Sequence, residues 1–259
     1  RILIWWGLIG QSEWSEHFPD CGGTSQSPVD VITTQTKYEP SLIPVTPLGY
    51  SQHGNQPFTL WKNKSAVLAF FFFFSLVIVE LPEWMGFRGL PWFFTAAQLH
   101  LHWGNGGPGN GGSEHTINGR SADAELHVVH YNSELYTNMS AAMTQKDGLA
   151  VFGILIEVTQ QDTTATQSGE QPLEDFKQSK YAGMAFIPAF DVQSLFPEDL
   201  GRYYRYNGSL TTPPCYQSVI WTVFHERVQI SKAQVSLKTH EKNQTCLISM
   251  FMTLKHSDC

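Results

Sequence analysis

The sequence predicts a single domain that is built mainly from β-strands and turns. Of its 259 residues, 13% are aromatic and only 15% are charged, and 21 glycines and 14 prolines are spread along the chain. This composition is typical of strand-and-turn proteins, and no linker-like stretch divides the chain. We therefore expect residues 1–259 to form one domain with a large buried core.

The charge balance argues against nucleic-acid binding. The formal net charge is -7 at pH 7, whereas a surface that binds nucleic acid needs clustered Lys and Arg. The excess of acidic residues favours solubility, and we expect no nucleic-acid partner.

The first 94 residues contain few regular patterns. The segment from Trp5 to Pro44 is expected to be irregular chain that wraps the core, with a short strand after Ser27-Pro28. The apolar run from Val67 to Val79 is shorter than the roughly 20 residues that span a bilayer. It favours a buried strand, with membrane contact or an erroneous insertion as open alternatives. No packing argument explains the aromatic stretch from Phe70 to Phe94.

From Thr95 the alternation becomes regular and predicts the scaffold. A glycine-rich connection from Gly104 to Gly112 lacks the lysine of a phosphate-binding loop. A loop with a short helix is expected from Thr163 to Lys180, and irregular chain from Pro188 to Leu200. The predicted strands cover residues 95–103, a stretch from Glu114, residues 124–131 and residues 149–158.

The stretch from Gln98 to Trp103 reads Gln-Leu-His-Leu-His-Trp and suggests a metal site. Strand alternation puts Gln98, His100 and His102 on one face, with successive side chains roughly 6.5 to 7 Å apart. Two imidazoles at that spacing can share one metal ion. A second strand, which begins Glu-Leu-His, can supply a third imidazole from His127.

Three histidine ligands with one open position are typical of catalytic zinc. Bound zinc lowers the pKa of a water ligand and so produces a nucleophile near neutral pH. Buried core histidines or an exposed polar face explain the same spacing, and spacing alone leaves these alternatives open. Gln98 and Glu125 each stand two residues before a histidine, where they can accept a hydrogen bond from its second ring nitrogen. That placement favours the metal site.

Four motifs together resemble the α-class carbonic anhydrases. They are Ala97 to Trp103, Gly112-Ser113-Glu114-His115-Thr116, Ala124 to Tyr131, and the Ser-Leu-Thr-Thr-Pro-Pro-Cys run from Ser209 to Cys215. The resemblance covers about Trp6 to Gln229 and is strongest to the extracellular domains of secreted or membrane-anchored members. It implies a mostly β (α+β) fold with a large, twisted, mainly antiparallel central sheet and short peripheral helices.

The resemblance also implies an activity and a location. The expected reaction is the zinc-dependent reversible hydration of carbon dioxide to bicarbonate and a proton, through zinc-bound hydroxide. Zn²⁺ is the expected cofactor, and sulfonamides and anions are the expected inhibitors. The location would be extracellular, secreted or at the cell surface, with membrane attachment only through an anchor that is not present in this chain. The four Asn-x-Ser/Thr sequons, at Asn63, Asn138, Asn207 and Asn243, agree with that setting.

The family's functional residues map onto this chain one by one. The zinc ligands would be His100, His102 and His127, with Gln98 supporting His100 and Glu125 supporting His127. The hydroxyl of Thr211 would accept a hydrogen bond from zinc hydroxide and donate one to Glu114. Thr212 would line the polar side of the cavity, and a disulfide would join Cys21 to Cys215. The apolar wall for carbon dioxide would comprise Val129, Val151, Leu210, Val219 and Trp221.

Several positions depart from the family pattern. Ser65 occupies the place of the histidine that shuttles protons in efficient members, and Leu8 replaces a cavity tyrosine. A serine hydroxyl does not relay protons near neutral pH, so we expect slow, buffer-dependent turnover. After Gln229 the chain is expected to be atypical and incomplete, without the usual partner of His102. A catalytically weak or inactive binding domain is therefore the alternative function.

Overall fold

The structure is a computed structural model that describes residues 9–51, 56–62, 77–104, 111–159 and 183–231. Thirteen strands are found in these ranges: β1 (Asp30–Val31), β2 (Thr46–Leu48), β3 (Phe58–Lys62), β4 (Val77–Glu80), β5 (Gly86–Arg88), β6 (Phe94–Trp103), β7 (Thr116–Ile117), β8 (Ala124–Asn132), β9 (Leu149–Thr159), β10 (Gly183–Ile187), β11 (Tyr203–Gly208), β12 (Val219–Phe224) and β13 (Val228–Ser231). The helices are short: α1 (Trp14–His17), α2 (Met139–Ala142) and 3₁₀ turns at Gln11–Glu13, Pro19–Gly22, Thr33–Gln35 and Val192–Leu195.

Eleven of these strands form one large sheet. Its main order is β10-β3-β4-β6-β8-β9-β12-β11, while β13 pairs with β9 and the β2–β5 ribbon joins β6. The pairs of β9 with β12 and with β13 are parallel, and the other pairs in this sheet are antiparallel. The expected mainly antiparallel sheet with short peripheral helices is therefore confirmed.

Strand alternation separates two apolar clusters. The larger one contains Leu99 and Leu101 of β6, Leu126 and Val128 of β8, and Phe152 of β9, and each of these side chains is at most 4% exposed. The smaller one lies on the face of His127. It contains Val129, Ala142, Leu149, Val151, Val219 and Trp221. Burial of a large apolar side chain contributes about 1.5 to 3 kcal/mol, so both clusters stabilise the pairing of the central strands.

That register positions the predicted site. His100 of β6 lies directly opposite His127 of β8, and His102 lies opposite Glu125. On the next strand, Gly153 lies opposite His127. The three histidines therefore stand on neighbouring strands at the middle of the sheet.

Some predicted elements differ from the structure. The strand expected from Glu114 begins at Thr116 and has two residues. The backbone N–H groups of Glu114 and His115 donate to the carboxylate of Glu125, at 2.9 and 2.7 Å, so they do not pair with a strand. The chain predicted to be irregular after Pro188 contains the 3₁₀ turn at Val192–Leu195.

The apolar run that begins at Val67 is described only from Val77, where it forms β4 and Val79 is fully buried. The rest of that run, the helix expected within 163–180 and the chain after 231 lie outside the described residues. Among the described residues, no helix is long and apolar enough to cross a membrane.

Candidate metal centre

The three predicted histidine ligands converge in the structure. The ring centroids of His100 and His102 are 5.0 Å apart, those of His100 and His127 are 5.2 Å apart, and those of His102 and His127 are 4.4 Å apart. One ring nitrogen from each lies within 4.8 Å of the other two. This is a cluster that could hold a single metal ion.

Burial keeps two of these rings neutral. Burial and then the neighbouring His127 lower the pKa of His100 to about 3. Burial, His127 and His100 together hold the pKa of His102 well below its usual value. A neutral imidazole retains the lone pair that a metal ion needs. The cluster is therefore suited to a cation.

Glu125 fixes the orientation of the third ring. Its Oε1 accepts from Nε2 of His127 at 2.8 Å and from Nδ1 of His115 at 2.6 Å. Burial raises the pKa of Glu125, but His115 and His127 outweigh burial and hold that pKa well below its usual value. An ionised carboxylate only accepts hydrogen bonds, so Nε2 of His127 carries the proton and Nδ1 is left for a metal. Glu125 thus contacts the ring that it is predicted to support, and its role toward a metal ligand stays a prediction.

A second possible metal-binding group combines His115, Glu125 and His127. Both of its rings already bond to Oε1 of Glu125. The geometry therefore favours the first cluster, in which Nε2 of buried His102 has no hydrogen-bond partner among the described residues.

The contact predicted between Gln98 and His100 is not formed. Oε1 of Gln98 and Nδ1 of His100 are both buried, and neither has a hydrogen-bond partner in the described part of the chain. The role of Gln98 therefore stays a prediction. For His102, the nearest carboxylate is that of Glu114, whose Oε1 lies 3.5 Å from Nδ1. The sequence did not indicate this contact.

The Thr211 side chain lies near the Glu114 carboxylate. Burial raises the pKa of Glu114, and the charge of Glu125 adds to that rise, while His127 and then a hydrogen bond from the Thr211 side chain oppose it. The same carboxylate approaches His127, with Oε2 3.9 Å from Nε2. A hydroxyl held by Glu114 therefore stands at the edge of the histidine cluster.

The amino-acid sequence matches known proteins over most of its length. The family model for eukaryotic-type carbonic anhydrase matches residues 9–249. The chain belongs to this family. It is 41% identical to carbonic anhydrase 12 of Homo sapiens over 232 residues, which are 89% of this chain and 61% of that protein. It is 34% identical to carbonic anhydrase 6 of Homo sapiens over 231 residues, which are 88% of this chain and 70% of that protein. It is 34% identical to carbonic anhydrase 15 of Mus musculus over 229 residues, which are 87% of this chain and 68% of that protein.

The five residues that the resemblance assigns to an apolar wall pack together, and their role toward carbon dioxide stays a prediction. Val129, Val151, Val219 and Trp221 belong to one buried cluster, and Leu210 packs against it. Each of those four is at most 5% exposed. The Trp221 ring lies 4.9 Å from that of His127, centroid to centroid, so Trp221 also packs behind a predicted ligand.

A disulfide joins Cys21 to Cys215, as predicted. It ties the N-terminal segment to the turn that carries Thr211 and Thr212, two residues that share partial burial. The turn is closed locally by a hydrogen bond from the N–H of Cys215 to the carbonyl of Thr212, at 2.9 Å. The loop that carries Thr211 and Thr212 is therefore held both by the disulfide and by this local hydrogen bond.

Sequence reasoning missed a hydrogen-bonded chain behind His127. Nε2 of His115 bonds to the hydroxyl of Tyr206 at 2.7 Å, and that hydroxyl donates to Oγ of Ser27 at 2.9 Å. Through Glu125, these contacts connect His127 to His115, Tyr206 and Ser27. The fully buried His115 stood within a recognised motif, but its partners are far away in sequence. The predicted shuttle position, Ser65, and Leu8 lie outside the described residues.

Proposed function

We propose that this protein is a zinc-dependent carbonic anhydrase, which interconverts carbon dioxide with bicarbonate and a proton. The convergence of His100, His102 and His127 carries this proposal. Family membership supports the reaction. Sulfonamides and anions would inhibit by taking the open coordination position.

The residues present fit a zinc ion. Nδ1 of His127 is left without a bond to Glu125, and Nε2 of His102 is buried and unpaired among the described residues. A metal ion would give the lone pairs of these two nitrogens a partner, and a buried polar atom without a partner is costly. Three neutral nitrogens leave one tetrahedral position for water.

When bound, zinc would supply a Lewis acid that lowers the pKa of its water ligand toward neutrality, for which carbonic anhydrase is the standard example. The chain's own residues would orient the reactants. The Thr211 hydroxyl would donate a hydrogen bond to Glu114, which would leave the lone pairs of the Thr211 oxygen to accept a hydrogen bond from the nucleophile. Val129 and Leu210 would hold carbon dioxide on the apolar side, and Thr212 would line the polar side.

Proton release would limit turnover. Ser65 stands where efficient members of the family carry a histidine, and a serine hydroxyl does not titrate near neutral pH. We therefore infer slow hydration that speeds up with added imidazole. Hydration that is fast in dilute buffer and insensitive to imidazole would refute this part of the proposal.

The setting we infer is extracellular, with the chain secreted or held at the cell surface and glycosylated. The disulfide between Cys21 and Cys215 supports it, because such bonds persist mainly in oxidising compartments.

Zinc content and activity test the proposal together. The purified chain should contain stoichiometric zinc by elemental analysis and should hydrate carbon dioxide in a sulfonamide-sensitive manner. His102→Asn should lose both properties, whereas the matched control His17→Asn, at an exposed position in α1, should keep them. Substoichiometric zinc after purification with zinc would refute the metal site. Bound zinc without hydration at any imidazole concentration would favour a non-catalytic carbonic-anhydrase-like binding domain.

A further inference from the structure

Asn138 begins the sequon Asn138-Met139-Ser140 at the first turn of α2. The side chains of Asn138 and Ser140 are both exposed. We propose that Asn138 is a site of N-linked glycosylation, an inference that rests on the extracellular setting proposed above. In this reaction a bond forms between Nδ2 of Asn138 and C1 of the first sugar. The bond from C1 to the diphosphate of a lipid-linked oligosaccharide donor breaks, and one amide proton leaves with the lipid diphosphate.

The hydrogen bonds of Asn138 are compatible with a glycan. Asn138 is the N-cap of α2, and its Oδ1 accepts from the N–H of Ala141 at 2.9 Å. Glycosylation changes Nδ2 and leaves Oδ1 as an acceptor. The contact of Nδ2 is a long one, 3.4 Å to Oγ1 of exposed Thr137. The cap and the glycan therefore use different atoms of one side chain.

The packing of α2 directs the glycan toward solvent. Ala142 is fully buried, and Met139 and Met143 pack against the smaller apolar cluster. Asn138, Ser140 and Ala141 are exposed. A bulky hydrophilic group on Asn138 therefore displaces none of the packed side chains.

The fold gives no other reason for a hydroxyl at Ser140, which makes no hydrogen bond to any described residue. The sequon at Asn207 differs in this respect. Oγ of buried Ser209 accepts from the N–H of Ser27 at 2.9 Å, and a Cβ at Gly208 would lie 2.2 Å from Oγ of Ser27. Packing thus explains the Gly-Ser pair after Asn207, so of the two sequons within the described residues it is the one at Asn138 whose third residue has no packing role. Asn63 and Asn243 lie outside the described residues.

Site-resolved mass spectrometry tests this inference. The full chain is directed by an added leader into the secretory pathway of a glycosylating cell. Both the secreted and the membrane-enclosed fractions are then treated with an amidase that converts glycosylated Asn to Asp. We expect the Asn138 peptide to carry the glycan and to show the conversion. Ser140→Ala should abolish the glycan without altering the cap, and Ser140→Thr should retain it.

An unmodified Asn138 peptide in both fractions, with a glycan at Asn207, would overturn the inference. So would a modified Asn138 peptide in Ser140→Ala. Since the leader sets the compartment, these results do not depend on where the protein resides naturally. Recovery of the natural protein from the cytosol would instead refute the proposed extracellular setting.

Discussion

Replacement of Gly153 by alanine should disturb the histidine cluster by displacing the carboxylate of Glu125. Gly153 lies opposite His127 in the sheet, and a Cβ added there would stand 2.9 Å from Oε1 of Glu125. Ordinary contacts of a Cβ begin near 3.4 Å. The carboxylate oxygen would therefore have to move by about 0.5 Å, the difference between these two distances.

That movement is costly because the Glu125 carboxylate is held by four donors. Oε1 accepts from His115 and His127 at 2.6 and 2.8 Å, and Oε2 accepts from two backbone N–H groups at 2.7 and 2.9 Å. Loss of one hydrogen bond to a charged group costs about 1.5 to 3 kcal/mol. We expect the free energy of unfolding of Gly153→Ala to fall by about that amount. Zinc affinity should fall roughly tenfold to a hundredfold, as for other partners that orient a ligand.

Urea unfolding and zinc titration against a competing chelator measure the two effects. Gly10→Ala is a matched control, since a Cβ there meets no heavy atom closer than 3.6 Å. Glu125→Gln should reproduce the loss of zinc affinity without the added methyl group. If Gly153→Ala keeps the zinc affinity and the unfolding midpoint of the unchanged protein, the carboxylate is not constrained as we argue.

Three further predictions concern other contacts. Cys21→Ser with Cys215→Ser opens a link between residues 194 apart and should lower the free energy of unfolding by about 5 kcal/mol in the chain-entropy model; an unchanged urea midpoint would contradict this. Burial lowers the pKa of His130 to about 3. His130 therefore takes up a proton below about pH 6.5 in the unfolded chain but not in the folded chain, so the free energy of unfolding should be about 2 kcal/mol lower at pH 5 than at about pH 8. His130→Phe should show a shallower loss in urea titrations at both pH values. Thr211→Ala should lower kcat/KM for carbon dioxide hydration while zinc content stays stoichiometric, and loss of zinc in this variant would refute its orienting role.

Local sequence patterns were enough to predict the bounds of the central strands. Alternation over residues 95–103 and 124–131 predicted β6 and β8 to within one residue at each end, because both strands are long and buried on their inner faces. The same alternation put His100 and His102 on one face. The pairing of His100 with His127 depends on strand register, which alternation within one strand does not determine.

Contacts between distant residues were beyond local patterns. The hydroxyl of Tyr206 joins His115 and Ser27 across 91 and 179 residues of sequence, and no periodicity marks such partners. The strand predicted from Glu114 was wrong because a side-chain carboxylate took the N–H groups that a strand would use. That competition depends on the tertiary position of Glu125, which the sequence around Glu114 does not reveal.

Glu125 also couples the backbone of the turn at Glu114 and His115 to the candidate metal centre. The same carboxylate holds the amide protons of this turn and the ring of His127. A shift of the His127 ring therefore also changes the hydrogen bonds of two backbone amides, those of Glu114 and His115, and neither residue is a predicted metal ligand. Hydrogen exchange at those amides would register metal loading even in a protein with no measurable turnover. The turn thus links the state of the site to the ease with which this part of the backbone opens to solvent.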